Sequence, residues 1–467
     1  MFDHITTAVA LRACRSMEST LAMLSHYVAH PAISCEEEHH SDVIKLAQAI
    51  ANDLCELGLD SVRLLQLDGA LPLVAASYSK QPGKPTLLIY GHYDLQPVQN
   101  EAWDTPPHKL TKRGDRVYAR GASDDMGGWL SHLAAIRAWL EETGELPLNI
   151  KLVIEGEEEI GSPNLERYIE AFPEAFSADF MVLTDCENPS VDIPGLTVSL
   201  RGLMEIELTC EALTADVHSG LWGNLLPDPA LALVSLLARL VDEDTRLRIG
   251  RIDVSENWRK ESQKIPFDEA LIRKGGRLLS PVLPLPERGR SRAEWVWRQP
   301  AITILSTSLP KPGEEKNAIR HKASAILSLR IPPGCTPQAL FEEISKTLTS
   351  SPPGGVQVTV KLKELSALPW IDDPKGPVYD AVDRAYLKGW GHPPLRIGVG
   401  GSIPFVAIFA KRFPHVPLIL NGVMDPESGA HGPNESLHLG LFERAIRANA
   451  YLYAELASLN PTSPSGI

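Results

Sequence analysis

The apolar positions fall into two regimes along the chain. From about Ser41 to Leu57, Val43, Leu46, Ala47, Ile50, Leu54 and Leu57 recur at the spacing of an amphipathic helix, and Gly58 closes it. Beyond it, short apolar runs alternate with helical patterns. SVRLLQL and LPLVAASY predict strands, PTLLIYGH predicts a strand running into His92, and MGGWLSHLAAIRAWLEETG predicts a helix; LNIKLVIEG and DFMVLTDC predict two further buried strands. Fully apolar strands alternating with helices predict a mostly parallel sheet covered on both faces.

After Pro194 the pattern changes. TVSLRGLMEIELTCE reads as one long alternating strand, DPALALVSLLARLVD as a helix, AITILSTSL and HKASAILSLRIP as strands, TPQALFEEISKTLTS as a helix and VQVTVKLKEL as a last strand. This β-α-β-β-α-β order is the ferredoxin-like pattern. The charged stretch Glu243–Arg298 interrupts it and is expected to add helices of its own. From about Pro369 helix–strand alternation returns, ending in the helix LFERAIRANAYLYAELASL; NPTSPSGI reads as a loose tail. The expected fold is α/β: a mostly parallel-sheet domain split into residues 1–196 and 367–467, with an α+β ferredoxin-like domain inserted over residues 197–366.

A chain of 467 residues exceeds one ordinary core, which suits this division. The formal charge of −14 argues against nucleic acid or an anionic membrane surface as partner. Cys14, Cys35, Cys55, Cys186, Cys210 and Cys335 are scattered with no CxxC, as expected of reduced thiols in a cytoplasmic protein. MFDHITTAVALRACRSMEST lacks a basic leader region, and no stretch approaches ~18 uninterrupted apolar residues.

The chemistry sits at the strand ends. KLVIEG runs into Glu157, Glu158 and Glu159 directly after Glu155, and so many carboxylates beyond a buried strand call for positive charge. PTLLIY ends in GHYD (His92, Asp94), the RGASDDMGG loop supplies Asp124 and Asp125, DFMVL ends in Asp185, and VPLILNGV leads into MDPESGAHGPNE with His431. In open α/β sheets ligands bind beyond the carboxyl ends of the strands. Two imidazoles and several carboxylates without thiolate suit Zn²⁺, Co²⁺ or Mn²⁺. Five ligands exceed one tetrahedral ion, whereas a carboxylate bridging two ions ~3.5–4 Å apart uses them all. Glu155 and Glu157 are expected to be solvated or hydrogen-bonded loop acids, and Trp129 a core residue.

The motifs GHYD, RGASDD, EGEEEIGS, TADVHSG and GAHGPNE resemble those of the M20-type dinuclear metallopeptidases, the family of cytosolic nonspecific dipeptidase, carnosinase, glutamate carboxypeptidase, aminoacylase and succinyl-diaminopimelate desuccinylase. The resemblance spans nearly the whole chain and is greatest to the dipeptidase branch. It implies two divalent ions per subunit, zinc by default with manganese or cobalt as alternatives. Its ligands would be His92, Asp124 and Glu159 at the first and bridging positions, with Asp124, Asp185 and His431 completing the second ion. It implies Glu158 as general base, Asp94 holding the His92 ring, and a cis peptide at Asp124–Asp125. His218 would stabilise the tetrahedral intermediate, often across to a partner subunit, which makes the inserted domain a lid and dimerisation domain. Asn317 and Arg330 would contact substrate, Arg330 by clamping a free carboxylate, and the GVGGSIP loop with Gly401 and Ser402 would hold the substrate's carboxyl end.

Two positions depart from the family pattern. Met126 stands where a Lys is usual, and Val399 where a Glu is common. The function implied is hydrolysis of dipeptides or short peptides with a free carboxyl end. An N-acyl-amino-acid amidohydrolase is the alternative, since its chemistry is the same and only the acyl pocket differs. A non-catalytic relative retained for binding is a third reading, which the presence of every ligand and of the base weighs against.

Overall fold

The computed structural model describes residues 2–98 and 102–461, so of the tail NPTSPSGI only Asn460 and Pro461 fall among the described residues. The chain divides into two compact units: residues 1–198, 373–397 and 408–467 form the first, and residues 199–372 and 398–407 the second. Among the described residues no helix is long and apolar enough to cross a membrane.

The sheet of the first unit follows the spatial order Ser61–Leu65, Leu73–Tyr78, Asn149–Glu155, Thr86–His92, Phe180–Leu183, Leu418–Leu420 and Gly195–Leu200. Its four central strands, from Asn149–Glu155 to Leu418–Leu420, are mutually parallel. The flanking pairs are antiparallel, which makes the sheet mixed rather than mostly parallel. Apolar content reveals that a strand is buried on both faces, but not the direction of its neighbour.

Helix Met126–Thr143 is buried on nearly every side through its first turns and stops at Gly144, whose φ of 80° supplies the left-handed cap. Its opening glycines serve close packing. A Cβ on Gly128 would lie 1.9 Å from Asp125 Oδ1, and one on Gly127 2.3 Å from the Ala122 carbonyl. Helix Leu439–Leu456 packs on it together with two N-terminal helices, Phe2–Arg15 and Met17–Val28, which the apolar pattern did not announce. Arg12 interrupts the stripe of the first, yet its guanidinium turns outward to Glu141.

The second unit holds a four-stranded antiparallel sheet in the order Ala301–Thr307, Lys322–Ile331, Gly202–Glu211 and Gln357–Ala367. Helices Pro229–Leu240 and Pro337–Thr349 cover it, and Leu233, Leu236, Leu240, Leu340 and Ile344 pack on Met204, Ile206, Leu208 and Leu327. The single long strand expected over TVSLRGLMEIELTCE is two strands, Gly195–Leu200 and Gly202–Glu211. The break falls at Arg201, whose side chain binds two carbonyls and whose own carbonyl accepts the Ser402 hydroxyl. These tertiary bonds override a uniform strand pattern. Within Glu243–Arg298 the helices Glu256–Ser262, Glu269–Gly275 and Arg292–Trp297 form.

Candidate metal centre and active site

The four parallel strands deliver their carboxyl ends to one edge of the first unit's sheet, and the chemistry stands there. His92 is the last residue of its strand, Asp185 lies two residues beyond Leu183, and Glu158–Ile160 forms a 3-10 turn beyond Glu155. His431 comes from the loop after Leu418–Leu420, and Asp124 from the turn preceding helix Met126–Thr143. The Asp124–Asp125 peptide is cis.

All five expected ligands converge, in two groups that share Asp124. Potential ligand atoms of His92, Asp124 and Asp185 lie within 4.8 Å of one another, as do those of Asp124, Glu159 and His431. This grouping differs from the expected one, which joined Glu159 to His92 and Asp185 to His431. Asp185 follows its strand so closely that it stays beside the neighbouring His92 strand. Glu159 is carried farther out by the 3-10 turn.

The two oxygens of Asp124 face different imidazoles: Oδ1 is 3.1 Å from His92 Nε2, and Oδ2 is 3.0 Å from His431 Nε2. His431 Nε2 is also 3.2 Å from Glu159 Oε2, whose same oxygen accepts a bond from Gln96 Nε2 at 2.8 Å. His431 itself sits at φ 61°, a left-handed conformation uncommon for a non-glycine residue.

Burial and the crowding of these acids set the electrostatics of the centre. Burial, with the charges of Asp124 and Glu158, pushes Asp185 well above the carboxylate range. Burial, with Glu159, Asp94 and Asp124 nearby, does the same to Glu158. Burial opposes ionisation of Asp124 too, but hydrogen bonds from His431 and His92 hold it low. The bonds from Asp124 and Glu159 push His431 up to about 11. Imidazole nitrogens and carboxylate oxygens face one another here at 3.0–3.2 Å. A set of nitrogen and oxygen donors without thiolate fits divalent cations of the zinc type.

Around this centre stand residues that fix it. His92 Nδ1 donates to the Asp94 carbonyl at 3.1 Å and lies 3.4 Å from Asp94 Oδ1. The Asp94 carboxylate has a second task that sequence spacing did not reveal: it accepts the backbone N–H groups of Glu158 at 3.1 Å and Glu159 at 3.0 Å. Asp125 accepts the His92 N–H at 3.3 Å and the Thr184 hydroxyl at 2.7 Å. Glu435, fully buried at the end of GAHGPNE, accepts from the N–H groups of Gly121, Ser123 and Asp124, from the Ser123 hydroxyl and from Arg120 Nη1. The acid at the end of that motif was the signal for it. Glu155 and Glu157 are buried and hydrogen-bonded: Glu155 accepts from Tyr90 and Ser162, Glu157 from the Leu71 N–H and Asn164. Met126 is fully buried, so the departure from Lys is an apolar residue within the core.

The remaining candidates lie in the second unit. His218 and Asn317 are neighbours, because Val217–His218 pairs with Ala318–Ile319 and the Ser219 N–H donates to the Asn317 carbonyl. His218 Nδ1 accepts the Gly220 N–H at 3.0 Å, which places the ring proton on Nε2. Arg330 Nη1 donates to Ser402 Oγ at 3.1 Å, in the loop that carries Gly401.

Residues 88–458 match the family described as Peptidase family M20/M25/M40. The chain belongs to peptidase family M20. It is a metal-dependent peptidase similar to the dipeptidase branch of that family. The cysteinylglycine-S-conjugate dipeptidase of Corynebacterium striatum is 33% identical over 454 residues, covering 96% of this chain and 98% of that protein. The Cys-Gly metallodipeptidase of Schizosaccharomyces pombe is 28% identical, covering 96% and 97% respectively. Among solved structures, an M20 family metallo-carboxypeptidase from Sulfolobus solfataricus superposes with a TM-score of 0.76 at 27% identity, covering 94% of this chain and 99% of that one.

Proposed function

We propose that this M20 peptidase hydrolyses dipeptides or short peptides bearing a free C-terminal carboxylate, with two divalent cations per subunit, zinc by preference and manganese or cobalt as substitutes. The observation that carries this reading is the pair of ligand groups meeting at Asp124, in a chain whose named relatives are dipeptidases. His92, Asp124 and Asp185 would hold one ion, and Asp124, Glu159 and His431 the other. Bound there, the ions supply Lewis acidity at the scissile carbonyl and bring the pKa of the attacking water toward ~7.

The chain's own residues supply the rest. Glu158 takes the water's proton and returns it to the leaving amine. It is free to do so because its neighbour Glu159 belongs to the ligand group, and adjacent side chains diverge. Asp94 holds the His92 ring and the turn that separates these two acids. His218, with its proton on Nε2, donates to the developing oxyanion. Arg330 binds the free carboxylate bidentately, with Asn317 and the backbone of the loop at Gly401 and Ser402 as further contacts.

The domain reading that goes with this function is a catalytic domain over residues 1–196 and 367–467 and an inserted ferredoxin-like lid and dimerisation domain over residues 197–366. The strand order of the second unit supports it: numbered by chain position, its strands lie 2-3-1-4. Exposed Leu221, Trp222, Leu225, Leu231 and Val234 on the same stretch of that unit suit a homodimer contact. Cysteines without a disulfide among the described residues suit a cytoplasmic location.

A panel of dipeptides and N-acyl amino acids, assayed with added zinc or manganese, tests the reading. Turnover of the dipeptides supports it. Turnover of the N-acyl amino acids alone would make the protein a deacylase.

A further inference from the structure

Arg201 and Arg330 are two guanidinium groups of the second unit that share one small region and no acid. Arg201 is buried and Arg330 half-buried. Among the described residues no carboxylate pairs with either, although most other arginines of this unit have one: Arg251 has Asp242, Arg259 and Arg290 have Glu294, and Arg288 has Asp244. Burying a cation without its counter-charge is costly. Two of them side by side cost more, and burial together with the Arg330 charge pulls Arg201 down to about 10.

The hydrogen bonds show how the pair is held. Arg201 Nε donates to the Gly400 carbonyl at 2.8 Å, and Nη1 to the Gln299 carbonyl at 3.1 Å. The Arg201 carbonyl accepts the Ser402 hydroxyl at 2.7 Å, and the same Ser402 oxygen accepts from Arg330 Nη1 at 3.1 Å. Ser402 has thus committed its proton to Arg201 and turned a lone pair toward Arg330. The loop lies so close that a Cβ on Gly400 would sit 3.0 Å from Arg201 Nη2. Carbonyl oxygens satisfy donors but leave the charge uncancelled, so the net positive charge remains available to an anion.

We propose that Arg201 is a positioning residue of the substrate-carboxylate pocket, fixing the Gly400–Ser402 loop and, through Ser402, the guanidinium of Arg330, while adding a second positive charge. This rests on the proposed reading that Arg330 and the loop receive the substrate's free carboxylate. A dipeptide whose carboxylate is capped as an amide gains nothing from this charge, so Arg201 governs selection of free-acid over capped substrates.

The test compares kcat/KM for Cys-Gly and for its C-terminal amide in the metal-loaded enzyme and in Arg201→Met. The variant is expected to lose about 10- to 100-fold on the acid, the range of a charged hydrogen bond, mainly through KM, and little on the amide. Equal losses on both, or an unchanged ratio, would overturn the role of Arg201. A wild type that cleaves the amide as well as the acid would overturn the carboxylate reading itself. If circular dichroism shows Arg201→Met unfolded, Arg201→Lys decides: it keeps the charge but cannot span both carbonyls. It is expected to raise KM for the acid with kcat nearly constant, and wild-type KM for the acid would contradict the proposal.

Discussion

The Asp94 carboxylate accepts the backbone N–H of Glu159 at 3.0 Å through one oxygen, while its other oxygen takes the N–H of Glu158 at 3.1 Å. One side chain thereby fixes the turn on which the proposed base and a proposed metal ligand stand, and its main-chain carbonyl orients the His92 ring. Asp94→Asn keeps the shape but presents an amide to one of those N–H groups. It is expected to weaken metal binding by about 10- to 100-fold, the usual cost of losing a group that orients a ligand. Competition with a chelator measures this, and wild-type affinity would show that the turn keeps its geometry unaided.

Glu435 ties the RGASDD loop to the GAHGPNE loop through Gly121, Ser123, Asp124 and Arg120. Glu435→Ala removes the carboxylate that faces the buried Arg120 guanidinium and takes their shared acceptor from the N–H groups of Gly121, Ser123 and Asp124, a change that costs about 3–5 kcal/mol. Thermal melts of the metal-free protein are expected to show a clear fall in midpoint. A small shift would mean that water or the loops themselves replace the carboxylate.

His132 lies in the core with Nδ1 2.9 Å from the Tyr453 hydroxyl, and burial pulls its pKa from 6.5 down to about 3. The unfolded chain therefore takes up a proton below pH 6.5 that the folded chain refuses. The stability contributed by neutral His132 is present above pH 6.5 and is lost as pH falls, by about 2 kcal/mol at pH 5. Urea unfolding at pH 7 and pH 5 should show this loss in the wild type and a smaller one in His132→Gln. Equal losses would place the acid sensitivity elsewhere.

The strands that carry the site were legible because each is an apolar run ending abruptly in His, Asp or Glu. That local contrast survives any tertiary arrangement. Which candidate ligands group together was not legible, because it depends on how far each side chain stands beyond its strand: two residues for Asp185, a 3-10 turn more for Glu159. The antiparallel flanks and the break at Arg201 were hidden for the same reason, since both are set by partners distant in sequence. Asp94 and Glu435 stood within quoted motifs, but only coordinates show that their carboxylates hold backbone N–H groups.

Glu158 and Asp124 separate the two halves of the mechanism. Glu158→Gln removes the proposed base and leaves every ligand in place. It is expected to keep its metal and lose turnover by about 100-fold or more, within the range for general acid–base catalysis. Turnover near the wild-type rate would remove Glu158 from that role.

The central claim is that Asp124 joins two cation sites, and metal content per chain tests it most directly. Elemental analysis of wild-type protein equilibrated with zinc and then freed of excess should give two equivalents per chain, with Asp124→Ala retaining neither tightly. A wild type that saturates at one equivalent, or an Asp124→Ala variant that still holds both, would contradict a shared carboxylate.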